Sequence, residues 1–434
     1  MIKPKLWLGS SIVKDSFWIT VSDAATKGIG GLLALAMARF LGPHEYGKYA
    51  VYLSIVTIVF TITVLGFEQH YLRRAAIDTI NRKRYFQIVI RQILITGIAA
   101  IAMVSAFVMS TNNSREAVFL TLVLAVYSFA GRFHLAFRYY CLVNRKLKMT
   151  AIIQSVSSVS LFLVVLGALA YERGVFAIAT LQATVITLTT LLWFAKVSDA
   201  SITPRIPLKE IGQFAKESVS FAFSNIIWIL YFNADTYIVS ALQSVSDAGM
   251  YAGVFKIFSL SYIFGFAYVS AFVPRLFKQY SVDRETYRVT AAKCLLSTAA
   301  LSFPVFLALF TLADWYIPIT VGREYLGPGL IIAQTLAFAA ILRFVNFGLS
   351  EVLTSSGRQP ARVALESIML VSNIGLNILL IPRYGAQGAA LATVFAEVMF
   401  FVFCVVVFRS HTKTLVRSMG QIFQRGKTNR SQAE

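Results

Sequence analysis

Residues 387–408, QGAALATVFAEVMFFVFCVVVF, carry one ionisable side chain, Glu397, in a run that is otherwise apolar or small. At about 1.5 Å of rise per residue, a helix of this length extends about 33 Å, enough to cross a hydrocarbon core of roughly 30 Å. Similar runs recur near 16–38, 47–67, 86–109, 116–138, 149–170, 175–195, 214–240, 248–273, 289–313, 329–354 and 361–381, giving twelve expected spans. The whole chain agrees: of 434 residues 57% are hydrophobic and 14% charged, with a mean hydropathy of +0.69. That is far from the balance of a soluble domain. The expected fold class is therefore an all-α polytopic membrane protein of about 12 transmembrane helices, with loops too short for a sizeable soluble domain.

The formal net charge is +20, which in a polar sequence would point to nucleic acid. Here position explains it. With the N-terminus inside, 27 Lys and Arg fall on inner segments, against Arg115, Arg173, Arg323 and Arg383 in outer loops. Positive loops stay cytoplasmic, so an N-in/C-in chain is expected and no nucleic-acid partner. The N-terminus lacks the uninterrupted apolar core and small-residue cleavage site of a signal peptide, and the first helix is expected to be retained. The basic tail from Arg409 to Glu434 is expected to be disordered or interfacial, attracted to anionic membrane lipids.

Two short matches indicate an internal repeat. Glu45-Tyr46-Gly47-Lys48-Tyr49-Ala50 parallels Asp247-Ala248-Gly249-Met250-Tyr251-Ala252, and Ala177-Ile178-Ala179-Thr180 parallels Ala390-Leu391-Ala392-Thr393. They lie six helices apart, so both halves keep one orientation and a pseudo-two-fold axis along the membrane normal is expected. The expected organisation is a six-helix lobe over 1–205, a second over 206–409, facing each other across a central cleft, and the cytoplasmic tail at 410–434. Gly388, Ala392 and Ala396 recur every fourth residue, as do Gly385 and Ala389, a pattern that suits close helix packing.

Ionisable groups at bilayer depth are costly and tend to face a bundle interior or a watery cavity. Asp23 and Lys27 lie one turn apart in the first span, either neutralising each other or lining a cavity; Asn225 falls at the position of Asp23 in the second half. Lys256 and Arg343 are also placed at mid-depth, with Arg91, Arg132, Arg138 and Arg362 nearer the cytoplasm. Arg362, Glu366, Asn373 and Asn377 form one stripe on the eleventh span. This set holds more cations than anions, which suits an anionic substrate such as a phosphate or diphosphate headgroup. Asp23, Asp235, Glu366 and Glu397 are then candidates for proton or sodium coupling, or partners of neighbouring cations; Asn225, Asn373 and Asn377 are candidate polar lining. Many inner-end cations can instead snorkel to headgroups.

No G-x-x-x-x-G-K-[ST] is present, so direct ATP drive is not expected, nor any cofactor. His44-Glu45 does not complete H-E-x-x-H. Cys141, Cys294 and Cys404 lack CxxC spacing, so neither a disulfide framework nor a metal site is expected.

The stretch Ala38-Arg39-Phe40-Leu41-Gly42-Pro43-His44-Glu45-Tyr46-Gly47-Lys48-Tyr49 resembles the "R-x-L-G-P-x-x-Y-G-x-Y" segment after the first helix of bacterial polysaccharide flippases. Asp235-Thr236-Tyr237-Ile238-Val239-Ser240 leading to Ala248-Gly249-Met250-Tyr251, and Asn373-Ile374-Gly375-Leu376-Asn377 through Leu380-Ile381-Pro382-Arg383-Tyr384-Gly385, are similar as well. These are O-antigen and exopolysaccharide flippases, the polysaccharide-transport branch of the multidrug/oligosaccharidyl-lipid/polysaccharide exporter superfamily. The resemblance implies a non-enzymatic, multi-pass protein of the bacterial cytoplasmic (inner) membrane. It would move an undecaprenyl-diphosphate-linked oligosaccharide to the periplasmic leaflet by alternating access driven by an ion gradient. It also implies contact with a polysaccharide polymerase and chain-length machinery. A small-molecule exporter of the same superfamily, or a glycan polymerase or ligase, are the alternative readings.

Overall fold

A computed structural model describes the backbone of residues 10–111, 114–197 and 206–431, and the side chains of 26–111, 114–197, 206–219 and 222–408. In chain order the helices are α1 (Ser10–Val64), α2 (Phe67–Ile77), α3 (Arg82–Thr111), α4 (Arg115–Val143), α5 (Leu147–Ala170), α6 (Val175–Lys196) and α7 (Leu208–Leu242). They continue with α8 (Val245–Ser270), α9 (Val273–Val282), α10 (Arg284–Thr311), α11 (Ala313–Thr320), α12 (Pro328–Ser355), α13 (Gln359–Tyr384) and α14 (Ala386–Ser431). No strand occurs among the described residues.

Ten stretches among the described residues are long and apolar enough to cross a membrane, against the twelve expected. The first of them, Thr26–Val64, holds what the sequence reads as two spans. Gly42, at φ 70 and ψ 172, breaks α1 there, immediately before Pro43. A left-handed φ is open to glycine at little steric cost, and proline cannot donate the next helical hydrogen bond. The expected seventh span lies in α7, whose first turns carry Lys209, Glu210, Lys216 and Glu217, and α7 is not among the ten. The backbone of the expected tail continues α14 as far as Ser431.

The chain forms two compact units, residues 1–237 and 238–434. The sequence places the division at 205/206, ahead of α7, whereas the packing divides the chain near the end of that helix. The cause lies in the opening turns of α7. Phe214 is buried against Phe67 and Tyr85, with ring centroids 5.3 and 6.0 Å away, and Arg84 donates to both Glu210 oxygens at 3.0 and 2.6 Å. Phe214 thereby joins a core with Tyr71, Phe86, Phe137, Tyr140 and Trp193, drawn from α2, α3, α4 and α6.

The helices that carry the two repeat matches are tied together within each unit. In the first, Tyr49 donates to Gln182 Oε1 at 2.8 Å, tying α1 to α6. In the second, the Tyr251 and Thr393 hydroxyls lie 3.4 Å apart, tying α8 to α14. Both tyrosines are buried. Each unit also places a short helix, α2 or α9, after the span that bears this tyrosine.

Small residues act where the sequence locates them. Ala389, Ala392 and Ala396 are fully buried, and a Cβ on Gly388 would stand 2.6 Å from the Leu380 carbonyl. That backbone cannot yield as a side chain can, so α14 starts against α13 because residue 388 is glycine. Gly385, at φ 57, makes the turn between them. All three cysteines are buried with free thiols.

Candidate functional site

In the first unit, polar side chains gather around α2. Gly66, left-handed at φ 67, starts this helix at an angle that α1 could not continue. Glu68 is then buried to 1% exposure, with Arg132 Nη1 of α4 at 3.7 Å, while Arg132 Nη2 donates to Thr61 Oγ1 of α1 at 2.9 Å. Burial raises the Glu68 carboxyl above its ordinary range and Arg132 opposes the shift. Further along α2, His70 Nε2 and Arg74 Nη2 lie 3.2 and 2.9 Å from Glu217 Oε2 of α7. Burial holds the His70 imidazole below its usual range, against the opposing pull of Glu217. Arg91 donates to the Ile206 carbonyl at 2.5 Å, and His134 accepts from Trp193 Nε1 at 3.2 Å.

The arginines that the sequence places toward the cytoplasm in this unit are thus engaged by protein groups. Arg132 and Arg91 have the partners just named, and Arg138 is half-buried and in contact. Lys27 is exposed on α1 and also engaged; the Asp23 side chain lies outside the described residues. Asn225 is half-buried on α7, and Asp235 is buried at 3% exposure and engaged. The sequence reading missed Glu68, His70, Arg74 and Glu217. Its one available signal was an acid, Glu68, closely followed by His70, Arg73 and Arg74 at the end of a span.

In the second unit, the sequence-derived residues meet across α12, α13 and α14. Arg343 Nη1 donates to Glu397 Oε1 at 3.0 Å, and Asn346 Nδ2 donates to Glu397 Oε2 at 2.8 Å. The Arg343 and Glu397 side chains are 5% and 0% exposed. The Arg343 guanidinium also lies 5.5 and 5.1 Å from the Tyr262 and Phe347 ring centres. Nearer the start of α13, Arg362 donates to Glu366 Oε1 and to Thr354 Oγ1, both at 2.8 Å, with Glu351 Oε1 at 3.6 Å. Asn377 donates to Asn373 Oδ1 at 3.2 Å, and both residues are fully buried.

These pairs alter the charge balance read from the sequence. Arg343 and Arg362 are matched by Glu397, Glu366 and Glu351, so neither is a spare cation. Lys256, near the middle of α8, differs: it is half-buried, and its ammonium has no hydrogen bond or ion pair among the described residues. An unmatched ammonium at such a position is costly unless water or a ligand anion reaches it. Among the described residues no three His, Cys, Asp or Glu side chains converge as a metal site would require.

A family model described as Polysaccharide biosynthesis protein matches residues 12–279. A probable low-salt glycan biosynthesis flippase, Agl15 of Haloferax volcanii, is 24% identical over 208 residues, 47% of this chain; the match spans 43% of that relative's length. Among solved structures, a lipid II flippase MurJ in an inward closed conformation has a TM-score of 0.73 at 15% identity, covering 92% of this chain and 89% of that one. An inward-facing multidrug resistance MATE family transporter of the MOP superfamily has a TM-score of 0.69, also at 15% identity, covering 91% and 96%. The helical arrangement described above is the fold of these transporters.

Proposed function

Because the chain belongs to the family of polysaccharide biosynthesis proteins, we propose that it is a flippase that carries a lipid-linked saccharide across a membrane, its substrate joined to the lipid through a diphosphate. The observation that carries this reading is Lys256, a half-buried ammonium near the middle of α8 with no anionic partner among the described residues, whereas Arg343 and Arg362 of the same unit are matched by acids. A diphosphate supplies the missing charge and several acceptor oxygens. The saccharide crosses a hydrated path while the prenyl tail stays in lipid. The relatives support the same direction: Agl15 is described as a probable low-salt glycan biosynthesis flippase and MurJ as a lipid II flippase.

The finer assignment is an undecaprenyl diphosphate carrier, an O-antigen or exopolysaccharide repeat unit, the bacterial inner membrane and transfer toward the periplasmic leaflet. A polysaccharide polymerase and its chain-length machinery would then receive the product. Access alternates between the two sides and is driven by a proton or sodium gradient, with Asp23 and Asp235 as coupling candidates. Glu366 and Glu397 can contribute only if their arginine partners release them.

Depletion in the native host tests this reading. The expected result is accumulation of a lipid-linked saccharide on the leaflet where it is made, without greater sensitivity to cationic drugs. Drug sensitivity with unchanged lipid-linked saccharide would contradict it and favour a small-molecule exporter.

A further inference from the structure

A second basic site lies in the second unit, away from Lys256 and the α12–α14 pairs. A cavity of about 330 Å³ is lined by Tyr280 of α9, Arg284, Tyr287 and Arg288 of α10, Ser356 after α12, and Arg358 before α13. Ala291, Val352 and Phe408 form its apolar walls. Among the described residues three guanidinium groups and no carboxylate line it.

The cations are held in place without being neutralised. Arg284 stacks over the Tyr280 ring at 3.4 Å, and Tyr280 packs edge-on against Tyr287 at 5.0 Å. Tyr287 is fixed from behind by donating to the Val352 carbonyl at 3.0 Å. Arg358 spends one N–H on the Val407 carbonyl at 3.1 Å. Arg288 is half-buried with no ion pair among the described residues. Of the two carboxylates adjacent in sequence, Asp283 is occupied in capping α10, where it accepts from the Glu285 and Thr286 amides, and Glu285 is exposed and outside the cavity lining.

The internal repeat shows that the lining of this cavity differs from the corresponding positions of the first half. At the offset of 202 residues, Arg284 and Tyr287 correspond to Arg82 and Tyr85, whereas Tyr280, Arg288 and Ala291 correspond to Asp78, Phe86 and Val89. In the first unit, Phe86 and Val89 are buried in the aromatic core, Tyr85 donates to Asp78 at 2.8 Å, and Arg82 donates to the Ala75 carbonyl. Where the first unit has an acid, a buried aromatic ring and a larger aliphatic side chain, the second has a phenol, an arginine and an alanine, a more cationic set.

We propose that this cavity binds the phosphate headgroup of an acidic membrane lipid. Phosphate suits the chemistry, since the guanidinium forks and the Tyr280 hydroxyl can donate to its oxygens, the Tyr287 and Ser356 hydroxyls being already bonded to the Val352 and Leu353 carbonyls. Lipid as the source is favoured by α9, which buries Leu276 and exposes Arg275, Phe277 and Lys278, a basic and aromatic surface suited to the headgroup layer. A free phosphorylated solute offers the same oxygens without the acyl chains.

Native mass spectrometry of the full chain in neutral detergent separates the two sources, with dioleoyl phosphatidylglycerol, dioleoyl phosphatidylcholine and inorganic phosphate as probes. The expected result is one phosphatidylglycerol held about tenfold more tightly than phosphatidylcholine, displaced by millimolar phosphate. The double variant Arg284→Ala/Arg288→Ala is expected to lose that preference. Arg288→Phe installs the side chain found at the corresponding position of the first unit, and is expected to fold normally and lose it too. Unchanged phosphatidylglycerol binding in a folded Arg288→Phe chain would overturn the proposal. So would arginine-dependent binding of inorganic phosphate without lipid binding, which would assign the cavity to a free solute.

Discussion

Arg343→Ala is expected to destabilise the second unit by about 3–5 kcal/mol, the usual cost of removing one partner from a buried ion pair. Glu397 is fully buried and receives its charge-assisted hydrogen bond from Arg343, with Asn346 on the other oxygen. The buried carboxylate would then lose the arginine counter-charge while Asn346 stays on its other oxygen. Arg343→Glu is worse, because it sets two carboxylates side by side inside the unit. Loss of transport in either variant would therefore report folding rather than substrate binding. Thermal unfolding in detergent checks this, with the double variant Arg343→Leu/Glu397→Leu expected to recover most of the loss. A single Arg343→Ala chain that melts within about 2 °C of wild type would remove the structural role given to the pair.

Lys256→Glu is expected to reduce transfer by more than about tenfold while its level in the membrane stays near wild type. The contrast with Arg343 follows from their surroundings. Lys256 makes no hydrogen bond or ion pair among the described residues, so its removal orphans no acid. Lys256→Arg keeps the charge and is expected to retain much of the activity, whereas Lys256→Ala should lose most of it. The check is complementation of a depleted strain with each variant, alongside quantitation of the protein in membranes. Full complementation by Lys256→Glu would show that this ammonium does not meet the substrate.

The sequence displays what depends on neighbours along one helix. Apolar run lengths locate the spans, and the four-residue spacings in α13 place Arg362 against Glu366 and Asn377 against Asn373, as the hydrogen bonds at 2.8 and 3.2 Å bear out. The repeat is legible too, because its two short matches lie on the helices that the Tyr49–Gln182 and Tyr251–Thr393 contacts tie together. Pairs between helices are different. Arg343 and Glu397 stand 54 positions apart, and Arg84 and Glu210 stand 126 apart. No periodicity relates such residues, because their meeting depends on how whole helices pack. For that reason a sum of intramembrane cations overstated the charge available to a substrate: most of those arginines are matched by acids or carbonyls that only the fold brings near.

The most direct measurement is transfer across reconstituted vesicles containing the full chain, with a prenyl-diphosphate-linked saccharide compared against the same saccharide lipid lacking the diphosphate. Wild-type protein is predicted to move the diphosphate form under an imposed proton or sodium gradient, to leave the uncharged lipid behind, and to lose transfer on Lys256→Glu. Equal transfer of both lipids, untouched by that substitution, would contradict recognition of an anionic group.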